Sequence, residues 1–437
     1  MSTALGTGLS PVRAELNNGV VTIVQETALT PAVTLTAAFP AGSMFDPAGL
    51  QGLAYLTARV MDRGTRTRTA SHLAEELDNR GVSLKISANR QSLMLACTCL
   101  SEDFEYVLGI VADVLRRPVF PESEVEKRRA EVLTLLRQNE DSPATRAVDA
   151  VLESLYGADH PYGRPSKGTV HGVERVTRDD LVAFHARRIR PAGLCVVIAG
   201  DVPASLAVRC AAAEFEGWAA EPAAGFTVPS PLPAPRAAEQ VIAMPGKPQS
   251  DIACGFPAVR RQDPRYYACW MMNNILGQFG LGGRLADNIR ERQGMAYYAF
   301  STLDPAAGAA PLLIRAGVDP VNVERAVAAI RREISVLASE GPTAKEVDES
   351  RAYLIGSIPR LLETNQSIAA FLQSAEEYRL GLDFHRRLPG LLRRVTIGEI
   401  ADAAAEFLRL DRAAFAIAGP PSVTSQSAAA GIAAAAQ

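Results

Sequence analysis

No apolar run in the sequence reaches the roughly 18 residues that a membrane-crossing helix requires. The stretch from Met1 to Asn18 carries Arg13 and Glu15 where a secretion signal would be apolar. A cytoplasmic chain with no membrane partner is expected. Excess charge is also missing: 45 Lys and Arg stand against 48 Asp and Glu, a net of −3, which gives no general attraction for nucleic acid. The six cysteines (Cys97, Cys99, Cys195, Cys210, Cys254 and Cys269) sit mostly in apolar runs, which excludes a disulfide-stapled scaffold and fits free thiols in a reducing compartment. Cys97-x-Cys99 lies in LMLACTCL, where strand alternation turns both thiols to one face, an arrangement of a core strand rather than a metal site. The five histidines (His72, His160, His171, His185 and His385) include no pair at the i, i+4 spacing that grips zinc from one helix, and surface or capping roles are expected for them. No GxSxG elbow, no GxxxxGK[ST] loop and no GxGxxG turn between strand and helix is present.

What is present is bulk and repetition. With 437 residues and 48% apolar content the chain can bury more than one core. Residues 219–239, AAEPAAGFTVPSPLPAPRAAE, concentrate proline and alanine as an extended linker would. That places one domain at 1–218, a second at 240–421, and a low-complexity tail, expected to be disordered, at 422–437. The two sides repeat. VTRDDLVAFHARRIRPAGLCVVIAG (Val176 to Gly200) and VTIGEIADAAAEFLRLDRAAFAIAG (Val395 to Gly419) each read as a Thr-capped helix followed by an apolar strand ending in Ala-Gly. Glu124-Val125 with Arg129-Ala130 recurs as Glu346-Val347 with Arg351-Ala352, roughly 220 positions on, as a duplication leaves it. In each half strands come first (VVTIVQE and AVTLTAAF; EQVIAMP and SDIACGF), then helices, then a last strand. This order predicts an α+β fold: two homologous domains, each an antiparallel-rich sheet with helices packed on one side.

GLAYLTARVMDRGT, from Gly52 to Thr65, resembles the GxAHxxEHxxxxGT frame of the pitrilysin/insulinase-type zinc peptidases, family M16. The glycines and the Gly-Thr end match. The two histidine ligands fall on Tyr55 and Arg59, and the glutamate that serves as base falls on Ala58. FPESEVEKRRAEVLTLLRQNEDSP, from Phe120 to Pro143, resembles the segment carrying the third ligand, a glutamate, and puts Leu135 there. Tyr55, Ala58 and Leu135 offer at most one weak phenol lone pair, and Arg59 brings a permanent positive charge to the place of a dication. The chain is therefore expected to bind no metal, and without a base at position 58 it cannot activate water there.

HPYGRP from His160, RPAGLCVVIAGDV from Arg190 and LLETNQSIAAFLQSAEEYRLGLD from Leu361 also resemble family segments, so the likeness spans nearly the whole chain and implies the LuxS/MPP-like metallohydrolase fold. LGGRLADNIRERQGMAYYAF, from Leu281 to Phe300, resembles SRLxxxIREKRGLAY and retains Arg290 and Tyr297, the pair the family uses on substrate and on the tetrahedral intermediate. Guanidinium and phenol are both donors suited to a developing oxyanion. A structural account is available too: Arg290 precedes the helix-closing Gly294 and Tyr297 begins a strand. The resemblance implies the non-zinc subunit of a heteromeric peptidase, acting on peptides with a partner that carries HxxEH and the zinc. A scaffold like the core subunits of the respiratory cytochrome complex, and a peptide-binding member acting alone or as a homodimer, are the other readings. GQFGLGGR, from Gly277 to Arg284, lacks the long glycine-rich loop of the α subunit of the mitochondrial processing peptidase, which argues against a presequence-receptor role.

Overall fold

A computed structural model of the chain describes residues 8–28, 30–219, 228–229, 237–278 and 282–420. Most of the 219–239 linker and the 422–437 tail lie outside the described residues. The chain begins with β1 (Val12–Glu15), β2 (Val21–Glu26) and β3 (Ala32–Phe39), followed by α1 (Leu53–Val60), α2 (Ala70–Asp78), β4 (Lys85–Ala88) and β5 (Leu93–Leu100). Helices α3 (Phe104–Arg116), α4 (Glu122–Glu140), α5 (Pro143–Tyr156), α6 (Val170–Arg175) and α7 (Arg178–Arg188) lead to β6 (Cys195–Gly200) and α8 (Ala204–Phe215). Then come β7 (Ala238–Ala243), β8 (Ser250–Pro257), α9 (Tyr266–Asn273), a wide-turned helix at Ala286–Arg292, β9 (Ala296–Leu303) and β10 (Pro311–Val318). The last elements are α10 (Val323–Glu340), α11 (Ala344–Ser357), α12 (Asn365–Glu377), α13 (Phe384–Arg394), α14 (Ile397–Phe407) and β11 (Ala414–Gly419).

Two compact units form, and each takes its residues from three stretches of chain. The first draws on Met1–Leu136, Ser166–Thr227 and Ser357–Leu388, the second on Arg137–Pro165, Val228–Gly356 and Pro389–Gln437. In the first, the sheet order is β1-β2-β6-β3-β5-β4, antiparallel throughout except for the parallel β2–β6 pair. CVVIAG in β6 serves both faces by simple alternation. Val196 and Ile198 join the main core with α1, α3 and α8, while Val197 and Ala199 meet Ile368, Ala369 and Leu372 of α12 on the other face. Most helices thus gather on one face, and α12 adds a cover to the opposite face from a distant part of the chain.

The second unit repeats the plan: β7-β11-β8-β10-β9, again with one parallel pair, β7–β11. Ala414, Ala416 and Ala418 of β11, with Ala253 of β8, pack against Val151 and Leu155 of α5. These small residues let the helix lie close. A Cβ on Gly255 would stand 2.5 Å from Val151 Cγ1, so any side chain there would force α5 away from a core in which each buried aliphatic contributes roughly 1.5–3 kcal/mol. The repeated sequence features do equivalent jobs. Thr177 and Thr396 cap α7 and α14 in capping boxes with Asp180 and Glu399. Just before each cap, Arg129 donates to the carbonyls of Val173 and Val176 at 2.7 and 2.5 Å, and Arg351 donates to that of Val395 at 3.0 Å.

Candidate functional site

Helix α1 is fixed at its start by a carboxylate from outside it. Asp46, only 5% exposed, accepts from the N–H groups of Gly52 at 2.7 Å and Ala54 at 2.8 Å, satisfying donors a helix N-terminus leaves open. Gly52, at φ +107, turns the chain into the helix where a side chain would strike Val173. Leu53, Leu56, Ala58 and Val60 then face the core, and Tyr55 and Arg59, one turn apart, are left half-buried at its edge. At the far end Gly64-Thr65 is tied to α3. The buried Asp113 accepts from the hydroxyls of Thr65 and Thr67 at 2.6 and 2.7 Å and from Arg68 at 2.9 Å. Burial alone would raise the Asp113 pKa, but these donors outweigh it and hold the group below the usual carboxylate range.

Arg59 leaves the edge of α1 toward α4 and meets Glu131 there at 3.4 Å. Arg128 holds both oxygens of the same carboxylate at 2.7 and 2.6 Å and reaches Glu124 at 3.6 Å. Leu135 is half-buried one turn beyond Glu131 on α4. Asp62, a turn beyond Arg59, pairs with Arg63 at 3.2 Å; burial raises its pKa against the opposing charges of Arg63, Arg128 and Arg59. Ala58 is 2% exposed and presents no polar atom. The helix pair is thus bridged by guanidinium and carboxylate, and among the described residues no group of three or more His, Cys, Asp or Glu could hold a metal. Glu131, Arg128 and Asp62 were not singled out from sequence. The signal was available in the i, i+3 and i, i+4 spacing that puts Arg128, Glu131 and Leu135 on one stripe of α4.

In the second unit the helix at Ala286–Arg292 ends in a wide turn, with Gln293 N–H bonded to the Asn288 carbonyl, followed by an ordinary α-turn from Gly294 N–H to Arg290, and Gly294 at φ +60 closes it. Arg290 holds Glu291 at 2.7 Å, with its side chain 27% exposed. Tyr297 sits at the start of β9 and is 87% exposed. Strand alternation turns Tyr298 to the other side, where its hydroxyl donates to Asp251. Asp251 is 4% exposed, and burial raises its pKa against the hydrogen bonds from Tyr298 and Gln249. Tyr298 and Asp251 anchor the strand from within and leave Tyr297 outside.

The remaining polar candidates resolve as structure. Cys97 and Cys99 are both buried on one face of β5, and burial pushes their thiols up to about 12 and about 11. Two histidines expected at the surface are instead core residues. His160, 8% exposed, stacks on Tyr156 and accepts from Tyr162 N–H at 3.0 Å, and His385 is 4% exposed beside Phe371. The imidazole ring supplies apolar area as well as nitrogen atoms, and in His160 the nearby backbone satisfies the latter. His185 does cap a helix, with Nε2 2.8 Å from the carbonyl of Leu115 in the last turn of α3.

A duplicated α+β frame with a Gly-Thr turn after an α1 that carries no His, Cys, Asp or Glu defines a class. Residues 21–169 match the family described as Insulinase (Peptidase family M16), and residues 175–354 match the Peptidase M16 inactive domain. The chain belongs to peptidase family M16. An uncharacterized zinc protease of Streptomyces coelicolor is 28% identical over 326 residues, 72% of this chain and 69% of its own. A Helicobacter pylori relative named a non-peptidase homolog is 24% identical over 92% of this chain and 93% of its own. The crystal structure of a peptidase M16 inactive domain from Pseudomonas fluorescens superposes with a TM-score of 0.88 at 24% identity, covering 94% of this chain and 98% of that one. Zinc, implied by the names of relatives, does not fit the residues here: Arg59 carries a permanent positive charge and is already paired with Glu131, and Ala58 and Leu135 have no donor atom. Among the described residues no helix is long and apolar enough to cross a membrane.

Proposed function

We propose that this chain is the non-zinc subunit of a heteromeric M16 peptidase of the cytoplasm, with the duplicated halves joined at 219–239. A partner chain carrying HxxEH and the downstream glutamate supplies the zinc and the base. This chain supplies Arg290, Tyr297 and part of the surface that receives an extended peptide. The observation that carries the reading is the 87% exposure of Tyr297 beside a strand start that Tyr298 and Asp251 already anchor. A phenol with no packing to do, in a segment that resembles the family's motif and keeps its arginine, is available for a ligand. The reaction role suits its chemistry, since a donor aimed at an oxyanion is worth about 3 kcal/mol where such donors have been removed.

A second reading is a catalytically inert peptide-binding or scaffolding member, and the name of the Helicobacter pylori relative favours it. One experiment separates the two. The purified chain is mixed with an HxxEH-bearing M16 chain of the same genome and a quenched peptide. Cleavage that requires both chains and disappears with Tyr297→Phe, while the complex still assembles, supports the subunit reading. Assembly without cleavage supports the inert one.

A further inference from the structure

Apart from the metal helix and the Arg290–Tyr297 pair, the second unit carries a groove of about 520 Å³ between the Ala286–Arg292 helix and α10. Arg292 lines it from the first helix, and Arg325 and Arg332 line it from the second, with Ala328 and Ala329 between them. We propose that this groove binds an acidic peptide segment in extended conformation, with Arg325 and Arg332 receiving two of its carboxylates.

The charges in the groove are unequally satisfied. Arg292 is neutralised by Asp287 at 2.5 Å. Glu333, the acidic residue among the lining side chains, is held by the amide of Asn288 at 2.6 Å, and Asn288 in turn accepts from Gln293 at 2.7 Å. Arg332 makes no hydrogen bond or ion pair among the described residues, and Arg325 reaches only Asn322 at 3.4 Å. Their neighbour Arg331 shows what a committed arginine on this helix does: it pairs with Glu239 at 2.7 Å and lies over the Phe415 ring. Two guanidiniums are therefore open on a chain whose net charge is −3, so the positive character is a local feature.

The geometry selects the ligand. Arg325 and Arg332 are seven residues apart, which on an α-helix is about 10 Å along the axis. In an extended peptide, side chains on one face recur about every 7 Å, so carboxylates at i and i+2 or i and i+4 bracket that separation within the reach of the arginine side chains. The two alanines between the arginines allow a backbone to lie close, and Asn288 and Gln293 offer polar atoms to it. Guanidinium forks favour carboxylates over a neutral amide of the same shape. The inference concerns binding alone and stands whether or not the chain joins a peptidase.

The test is fluorescence anisotropy of the isolated full chain with a labelled peptide of alternating Glu and Ala, at low salt, beside the same peptide with Gln for Glu. Wild type should bind the Glu peptide and leave the Gln peptide free. An exposed guanidinium–carboxylate contact is worth up to about fivefold in affinity, so Arg325→Ala/Arg332→Ala should bind several-fold and at most about twenty-fivefold more weakly. Both side chains are on the surface, so the variant is expected to melt with wild type. The charge-reversed Arg325→Glu/Arg332→Glu variant should prefer a Lys-Ala peptide. Undiminished binding by the alanine variant, equal binding of the Gln peptide, or no binding by wild type would each overturn the proposal. So would full displacement by inorganic phosphate at equal concentration, which would mark a small-oxyanion site.

Discussion

The guanidinium of Arg59 lies 3.4 Å from the carboxylate of Glu131, joining α1 to α4 by an ion pair at the place where the resemblance in sequence implies zinc ligands. Arginine donates hydrogen bonds, whereas a zinc ion accepts lone pairs and polarises bound water, so one cannot substitute for the other in activating water. The frame around the pair is otherwise kept, with Asp46 at the start of α1 and Asp113 at its end. Restoring the four positions together (Tyr55→His, Ala58→Glu, Arg59→His and Leu135→Glu) is accordingly expected to yield a chain that retains about one zinc ion after desalting. Atomic emission of the purified variant checks it. No retained zinc would show that α1 and α4 do not bring these positions together as a metal site.

Arg59→Ala alone should matter little. Its side chain is 41% exposed and that of Glu131 40%, and Arg128 continues to hold Glu131 when Arg59 is removed. Exposed pairs contribute about 0–1 kcal/mol. Urea unfolding midpoints of the variant and wild type should therefore nearly coincide.

Asp113→Ala should be far more damaging. It would strand the hydroxyls of Thr65 and Thr67 around a carboxylate site that is 1% exposed and take from Arg68 one of its two carboxylates, leaving it Glu76 at 2.7 Å. Breaking a buried charged cluster by removing one partner typically costs about 3–5 kcal/mol. A loss of that size in urea unfolding is expected, with the turn after α1 opening first in hydrogen exchange. A shift below about 1 kcal/mol would contradict the view that Asp113 fixes the Gly-Thr turn.

Tyr297→Phe offers the opposite pattern. With the phenol 87% exposed and making no contact within the second unit that the fold requires, the variant should match wild type in stability within about 0.5 kcal/mol. Its effect should appear only in the assembled peptidase, as a loss of cleavage of about two orders of magnitude. Tyr298→Phe, by contrast, leaves the buried Asp251 without its phenol donor and should lower the melting temperature.

Much of this was legible in the sequence wherever one element carries its own signal. The Thr caps of α7 and α14, the alternation of CVVIAG and AFAIAG, and the recurrence of Arg129 as Arg351 announced a duplicated α+β chain, and apart from the additional edge strand β1 the two sheets share one strand order. Gly52 and Gly64-Thr65 set the register in which Tyr55, Ala58 and Arg59 are compared with the family's motif. What was not legible depends on partners far apart along the chain. Glu131 is an ordinary helix-surface acid until α1 is placed beside α4, and nothing local says that α12 belongs with the sheet of the first unit. His160 and His385, for which surface or capping roles are expected from sequence, are buried because the ring's apolar area finds aromatic neighbours in the fold, Tyr156 and Phe371 respectively. The groove of Arg292, Arg325 and Arg332 needs two helices to exist at all.

His185 gives the fold a pH dependence whose sign can be worked out. Burial, helped by the charge of Arg190, lowers its pKa to about 4 despite the hydrogen bond to Leu115. The unfolded chain titrates near the ordinary histidine value of about 6.5. Above that value both states are neutral and the group adds no pH dependence. As the pH falls from about 6.5 to 4 the unfolded state takes up a proton that the folded state refuses, so stability drops, by an amount on the order of 3 kcal/mol in total. Below 4 both states are protonated and this contribution levels off, while the depressed pKa of Asp113 begins to cost stability because the folded state then holds a carboxylate that the unfolded state has protonated. His185→Gln keeps a donor for the Leu115 carbonyl and removes the titration. Its unfolding free energy, measured in urea from pH 7.5 to 4, should therefore fall less steeply than that of wild type between 6.5 and 4 and run parallel to it above 7. Parallel curves through the whole range would mean that His185 is protonated within the folded chain.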